Sequence, residues 1–415
     1  MALPILTLAA LSFALSWLAT LATRKIAPRL GFVDKPGHRK IHHNPIPLGG
    51  GVAIFLGFAL PMLAAIAFVN LEGPWIEATY ADGQVKGLGP YPFAEHWPGI
   101  RQQTPLALGL LGALLAIHLL GLRDDRRAMG PFVKLFIQLA ITTAFVTWFD
   151  VRALTFLDAP SAKLGLGRLP SIALTVLWIT AITNAFNFLD NMDGLSAGVA
   201  AVCTAAFLAT ALSIQQWFVA AALSLLLGAL LGFLCFNFAP ASIFMGDAGS
   251  LVIGLLLGVL TVRTTFLRPG EDFGAGWYAV FAPLIVLAVP LYDLIVVSLI
   301  RLSRGRSPFV GDTNHFSHRL VARGMTKRTA VLCIYLVTAA TAVAAVILPH
   351  TRSPLVAILI FCQTLLILGV VAVLEQHPLP RADAATLPHP ETSVPTRPIG
   401  DAPAVANSQV PMTNQ

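Results

Sequence analysis

Apolar residues run in blocks of about seventeen to twenty-five along nearly the whole chain, separated by short segments where Gly, Pro, Asn, Asp, Lys and Arg collect. Each block is long enough to cross a hydrocarbon layer of about 30 Å as a helix. The pattern predicts about eleven spans, near 3–22, 48–70, 105–123, 133–149, 170–186, 195–213, 217–236, 248–266, 276–300, 328–348 and 354–374. The expected fold class is an all-α polytopic membrane protein. Composition agrees, because 56% hydrophobic and 11% charged residues in a chain of 415 exceed what one soluble core can absorb.

Charge sets the expected orientation. Nothing basic precedes the first span, Arg24 and Lys25 follow it, and no small-residue cleavage site is present, so it reads as an uncleaved anchor. With the N-terminus outside, the inside loops are 23–47, 123–133, 187–194, 237–247 and 301–327, and they hold most of the Lys and Arg. The C-terminus is then cytoplasmic. The net charge of +7 reflects these loops, so anionic headgroups and phosphorylated substrates are the expected partners and nucleic acid is not.

No soluble domain or internal repeat interrupts the spans, so residues 1–376 form one expected transmembrane domain. The outside segment 71–104, rich in Gly, Pro and aromatics, has room for an interfacial piece. The Pro-, Ala- and Thr-rich residues 377–415 read as a disordered cytoplasmic tail without a catalytic role. Cys203, Cys235, Cys333 and Cys362 lie in apolar runs without a CxxC pair and are assigned neither a disulfide nor a metal.

The candidate chemistry lies in the inside loops. Arg39, Lys40, His42 and His43 run into Gly49, Gly50 and Gly51, a glycine-rich helix entrance whose amides suit an anion, or whose small residues serve close packing. Asp124 and Asp125 stand among Arg123, Arg126, Arg127 and Lys134. Adjacent carboxylates repel, and a hard divalent cation relieves that while offering positions to phosphate oxygens; a solvated loop of mixed charge is the plainer alternative. Asn184, Asn187, Asp190 and Asp193 recur every three residues, a spacing that would line the side of a helix end facing a cleft.

Asp247, in Gly246-Asp247-Ala248-Gly249-Ser250, reads as an N-terminal helix residue, fit for a metal ligand or a simple cap. The last loop carries Asp312, His315, His318 and Arg319, suited to a pyrophosphate; zinc is disfavoured because HExxH and a cysteine pair are missing. Asp293, inside the ninth span, needs a partner, expected to be an arginine or histidine of the following loop in a structural role.

Taken in order, these motifs resemble the polyprenyl-phosphate N-acetylhexosamine-1-phosphate transferases, glycosyltransferase family 4. The likeness rests on Arg39, Lys40, His42, Pro47, Gly49 and Gly50, then Asp124-Asp125, Asn187 to Gly194, Phe244 to Ser250 and Asp312 to Arg319. The branch using UDP-N-acetylglucosamine is the nearer one. The alternative, phospho-N-acetylmuramoyl-pentapeptide transferase, typically carries three consecutive histidines before Phe-Glu in the last loop, which this chain lacks. The nearer branch often has a histidine where this chain has Ser317.

The resemblance implies that undecaprenyl phosphate attacks the β-phosphorus of a UDP-sugar at the cytoplasmic face of a bacterial inner (plasma) membrane. UMP leaves, and the lipid-linked pyrophosphoryl sugar starts a cell-envelope glycan such as lipopolysaccharide or teichoic acid. It implies Mg2+, with Mn2+ as a substitute, on Asp247 with Asp124 and Asp125. Catalytic roles then fall to Asp124, Asp125, His315 and His318. Lys40, His42, Lys134, Asn187, Asp190, Asp193, Phe244 and Arg319 bind substrate. A homodimer is left open. A secondary transporter is the rival class, although its polar residues should lie near the bilayer midplane. An aspartyl intramembrane protease would need a GxGD motif whose first glycine is here Phe244.

Overall fold

The computed structural model describes residues 2–34, 45–81, 97–264, 277–308, 314–351 and 353–376. The described residues all belong to one compact unit, Met1–His377, and the expected tail at 377–415 lies outside them. They fold into fifteen α-helices and one two-stranded ribbon. In chain order the helices are α1 (Ala2–Ile26), α2 (Gly50–Ala81), α3 (Trp97–Gln102), α4 (Thr104–Arg126), α5 (Pro131–Phe149), α6 (Asp158–Lys163), α7 (Leu169–Leu189) and α8 (Leu195–Ser213). There follow α9 (Trp217–Asn237), α10 (Asp247–Arg263), α11 (Ala282–Val286), α12 (Ala288–Ser303), α13 (Phe316–Ala322), α14 (Lys327–Val346) and α15 (Pro354–Gln376). The ribbon pairs β1 (Val33–Asp34) antiparallel with β2 (Ile46–Pro47), just before α2.

Nine helices among the described residues are long and apolar enough to cross a membrane: α1, α2, α4, α5, α7, α8, α9, α14 and α15. The two remaining expected spans are helical but shorter. The one at 248–266 is α10, whose 17 residues reach about 25 Å. The one at 276–300 is broken into a 3-10 turn (Trp277–Phe281), α11 and α12, with the break at Leu287. Pro290 explains the break, since it has no N–H for the Val286 carbonyl and its ring crowds that oxygen.

Large apolar side chains such as Phe132, Phe136 and Trp148 on α5 point outward, as expected of a helix facing lipid. α10 is the opposite case. Every residue from Ala248 to Thr261 is buried, so α10 is the axis around which α2, α4 and α7 pack. That packing is backbone to backbone at its start, for a Cβ on Gly51 would lie 2.2 Å from Gly249 N and one on Gly121 2.4 Å from Ala248 Cα. α1 meets α9 in the same way. Gly228 and Gly232 admit the carbonyls of Ala9 and Phe13, while Ser12 and Ser16 donate to Leu225 O at 2.6 Å and Ala229 O at 2.7 Å.

Candidate active site

The start of α10 is where the polar loops meet. Gly246 takes φ +71°, and a Cβ there would fall 2.5 Å from Asp125 Oδ2, so only glycine fits. The first amides of a helix have no acceptor within it, and the last turn of α4 supplies one. Asp125 Oδ1 accepts from Asp247 N at 2.7 Å and Oδ2 from Ala248 N at 3.0 Å. His118, stacked on Phe55, places Nδ1 2.9 Å from Ala248 O. Asp125 and His118 thus hold the backbone from which the Asp247 side chain projects.

Lys134, one turn into α5, sits among the acidic groups. Its Nζ contacts Asp247 Oδ2 directly, and lies 3.4 Å from Asp124 Oδ2 and 3.5 Å from Asn187 Oδ1. Asp124 Oδ1 also accepts from Met129 N at 2.6 Å. Asn187 donates from Nδ2 to Asp247 Oδ1 at 2.8 Å and to Ser250 Oγ at 2.9 Å. The side chains of Lys134, Asp124 and Asp247 remain 14%, 17% and 23% exposed, so a ligand can still reach them.

The spacing of polar residues after Asn184 is resolved differently from the expectation. α7 ends at Leu189, so Asn184 and Asn187 lie on the helix while Asp190 and Asp193 belong to the turn before α8. Asn184 faces inward and donates to Gln138 Oε1 at 2.7 Å and Thr180 O at 2.8 Å. The Asp190 carboxyl is pushed up to about 7 by burial, with the nearby Asp125 charge adding to the effect and a hydrogen bond from the Gly246 backbone opposing it. Asp193 accepts from Ala241 N at 3.0 Å. Asn237 accepts from Gly194 N at 3.0 Å and donates to Ile243 O at 2.9 Å, which ties this turn to the loop before α10.

The last loop meets the end of α7 and the turn after it. His315 is the residue just before α13 and places Nδ1 2.8 Å from the fully buried Asp293, whose second oxygen accepts from Phe316 N at 2.7 Å. The partner expected for Asp293 is therefore His315. Arg301 packs over the Phe188 ring, 5.1 Å from its centre, and the His315 ring meets Phe188 edge-on. Ser317 donates to Asn191 Oδ1 at 2.5 Å. Arg319 pairs with Glu375 near the end of α15 at 2.8 Å and also donates to Asn314 O.

Of the expected site residues, Asp124, Asp125, Lys134, Asn187, Asp190 and Asp247 gather around the start of α10, joined by the contacts above. Asp193 and Phe244 lie in the flanking loops and His315, His318 and Arg319 at α13, while Lys40, His42 and Asp312 fall outside the described residues. The glycine-rich entrance does not offer its amides to an anion. Gly50 N donates to Phe244 O at 2.9 Å and Gly51 N to Met245 O at 3.0 Å, so the close-packing alternative holds there. Asn237 and Glu375 are not among the residues the sequence singles out, and Ser250 appears there only within its motif, without a role. Ser250 lies three residues after Asp247, one helical turn on, and the other two are lone polar groups at the ends of apolar runs, signals that could have marked them.

Among the described residues no three His, Cys, Asp or Glu side chains converge into a metal cage. Asp124, Asp247 and the Asn187 amide are nevertheless oxygen donors grouped around one positively charged group. Such a set fits Mg2+, which takes one or two carboxylates and completes its shell with phosphate oxygens and water. Asp125, next to Asp124, turns both its oxygens to the α10 amides.

Residues 107–265 match the family model described as Glycosyl transferase family 4. Over 328 residues the chain is 30% identical to a Bacillus subtilis (strain 168) protein named probable undecaprenyl-phosphate N-acetylglucosaminyl 1-phosphate transferase, covering 78% of this chain and 79% of that one. It is 31% identical over 338 residues to a Mycolicibacterium smegmatis protein named decaprenyl-phosphate N-acetylglucosaminephosphotransferase, covering 78% and 76%. An Escherichia coli (strain K12) protein named undecaprenyl-phosphate alpha-N-acetylglucosaminyl 1-phosphate transferase is 28% identical over 329 residues, covering 76% of each chain.

Proposed function

The chain belongs to glycosyl transferase family 4, and from that premise we propose that it transfers N-acetylglucosamine 1-phosphate from UDP-N-acetylglucosamine to undecaprenyl phosphate, releasing UMP. The observation that carries the reading is the grouping of Lys134, Asp124, Asn187 and Asp247 at the start of α10, open to a ligand, with His315 packed on Phe188, the residue after Asn187. The excess of Lys and Arg in the loops at this end supports a cytoplasmic site at the inner membrane, with undecaprenyl phosphate arriving from the bilayer and the nucleotide from water.

The acceptor is a phosphate monoester with a second pKa of about 6, so it is largely dianionic at neutral pH and needs little help from a base. An acceptor oxygen bonds to the β-phosphorus of the donor while the bond from that phosphorus to the UMP oxygen breaks. UMP departs with the electron pair, and a lipid pyrophosphoryl sugar remains. The protein's task is to position two anions and offset their repulsion. Lys134 supplies a cation at the meeting point and Asp124 orients the acceptor. Asp190, Asp193 and Phe244 hold the uridine end, and the α13 loop with Arg319 faces the pyrophosphate. Mg2+, or Mn2+ in its place, held by Asp247 with Asp124 and Asn187, would act as a Lewis acid on the phosphate oxygens. Direct attack is favoured over a phospho-enzyme route because the dianionic acceptor is already a competent nucleophile.

The test is UMP release by purified protein given undecaprenyl phosphate and single UDP-sugars. Release with UDP-N-acetylglucosamine alone supports the reading. Release only with UDP-N-acetylmuramoyl-pentapeptide moves the chain to the other branch, and none with any donor rejects the transferase.

A further inference from the structure

The two histidines of the last loop are not equivalent. His315 is buried, and both its ring nitrogens are engaged: Nδ1 lies 2.8 Å from Asp293 Oδ2 and Nε2 3.4 Å from Nη2 of Arg301. A carboxylate can only accept and a guanidinium can only donate. The ring satisfies both neighbours as the Nδ1–H tautomer, with the Nε2 lone pair turned to Arg301. Arg301 is itself buried, donates from Nη1 to Pro308 O at 2.5 Å and packs on Phe188, the residue after Asn187. Asp293 has no exposure, and its other oxygen caps the first turn of α13 through Phe316 N. His318, one turn further along α13 with its ring centre 6.4 Å from that of His315, is only half-buried.

We infer that Asp293 and His315 are positioning residues, a carboxylate–imidazole–guanidinium relay that fixes α13 and Arg301 against α7, and that His318 is the imidazole that meets the donor pyrophosphate. The inference rests on the transferase reading for what His318 meets, whereas the relay itself rests on the contacts alone. Asp293 and Arg301 are opposite charges out of contact with water, and inserting the imidazole satisfies both without placing them side by side. The arrangement resembles that of an aspartate orienting a catalytic histidine, except that here the far nitrogen is spent on an arginine and has no free face for substrate.

The experiment reads each histidine separately. Purified full-length protein in detergent is treated with diethyl pyrocarbonate, which acylates accessible imidazole nitrogens, and the sites are quantified by mass spectrometry with and without UDP-N-acetylglucosamine. His318 should label at least tenfold faster than His315 and be slowed by the nucleotide sugar. In Asp293→Asn, His315 should label at least fivefold faster than in the unaltered protein, and Asp293→Glu should restore much of the shielding. In steady state, His315→Asn should raise KM for the donor several-fold while keeping kcat within about tenfold, and His318→Asn should lower kcat by a hundredfold or more. The second pair of variants decides the matter if Asp293→Asn does not fold. Labelling of His315 as fast as His318, with protection by the nucleotide sugar, overturns the assignment, as does a loss of kcat in His315→Asn equal to that in His318→Asn. Failure of the unaltered protein to release UMP counts against the transferase reading instead, and the labelling contrast still decides the relay.

Discussion

Asp125 grips the backbone of Asp247. Its Oδ1 accepts from Asp247 N at 2.7 Å while Oδ2 takes the next amide, so the pair of neighbouring aspartates at the end of α4 divides its work. Asp125 holds the helix that carries Asp247, and Asp124 faces Lys134. Asp125→Ala should therefore lower stability by about 2 kcal/mol, the loss of a charged cap on two helix amides, as well as activity. Asp124→Asn, which keeps an oxygen for Met129 N, should leave thermal unfolding within about 1 kcal/mol and slow UMP release by orders of magnitude. Equal stability losses in the two variants would contradict this division.

Lys134 is the counter-charge to two carboxylates. Lys134→Met retains the stem and removes the charge, leaving Asp124 and Asp247 facing each other. UMP release should fall by about a hundredfold to a thousandfold. Mg2+ should raise the thermal midpoint of the variant more than that of the unaltered protein, because the ion then replaces a missing cation. Calorimetry or scanning fluorimetry in detergent reads this directly, and a smaller Mg2+ effect in the variant would count against the charge arrangement.

Gly51 and Gly121 set how closely α2 and α4 approach α10. A Cβ at Gly51 would sit 2.2 Å from Gly249 N, and backbone cannot move aside as a side-chain tip can. Gly51→Val should cost about 3 kcal/mol and displace the start of α10, so stability and activity fall together. Gly112, with nothing within 4 Å of an added Cβ, is the control, and Gly112→Ala should be close to neutral.

Asp190 supplies a pH signature. Its carboxyl titrates near 7 in the fold against 3.8 in a free chain, so the folded protein binds more protons than the unfolded one between those values. The stability from this group is complete below the unfolded pKa and is lost as pH rises through about 7. In Mg2+-free buffer, Asp190→Asn should flatten the fall in thermal midpoint between about pH 4 and 7. An unchanged slope would show that Asp190 is not the group responsible.

Much of this was legible because the physics is local or ordered. Apolar blocks marked the helices, and Asp247 beside glycines marked the first turn of α10. A lone carboxylate in an apolar span required a partner such as His315. The misreadings share a cause, which is that spacing does not reveal where a backbone turns or what occupies its amides. Asn184 to Asp193 keep a helical period, yet α7 stops at Leu189. Gly50 and Gly51 look open to an anion, yet the loop at Phe244 and Met245, far off in sequence, already occupies their amides. Asp124 and Asp125 are indistinguishable as letters and differ only because α4 turns one of them toward α10.

In the proposed reaction Asp247, fixed at the start of α10, organises the charge on which transfer depends. The most direct test of that role is a Mg2+ titration of UMP release from UDP-N-acetylglucosamine and undecaprenyl phosphate, comparing the unaltered protein with Asp247→Asn. Release should depend saturably on Mg2+, stop when a chelator is added, and fall by about a thousandfold or more in the variant at every Mg2+ concentration. Full activity in Asp247→Asn, or release that ignores both Mg2+ and the chelator, would contradict that role.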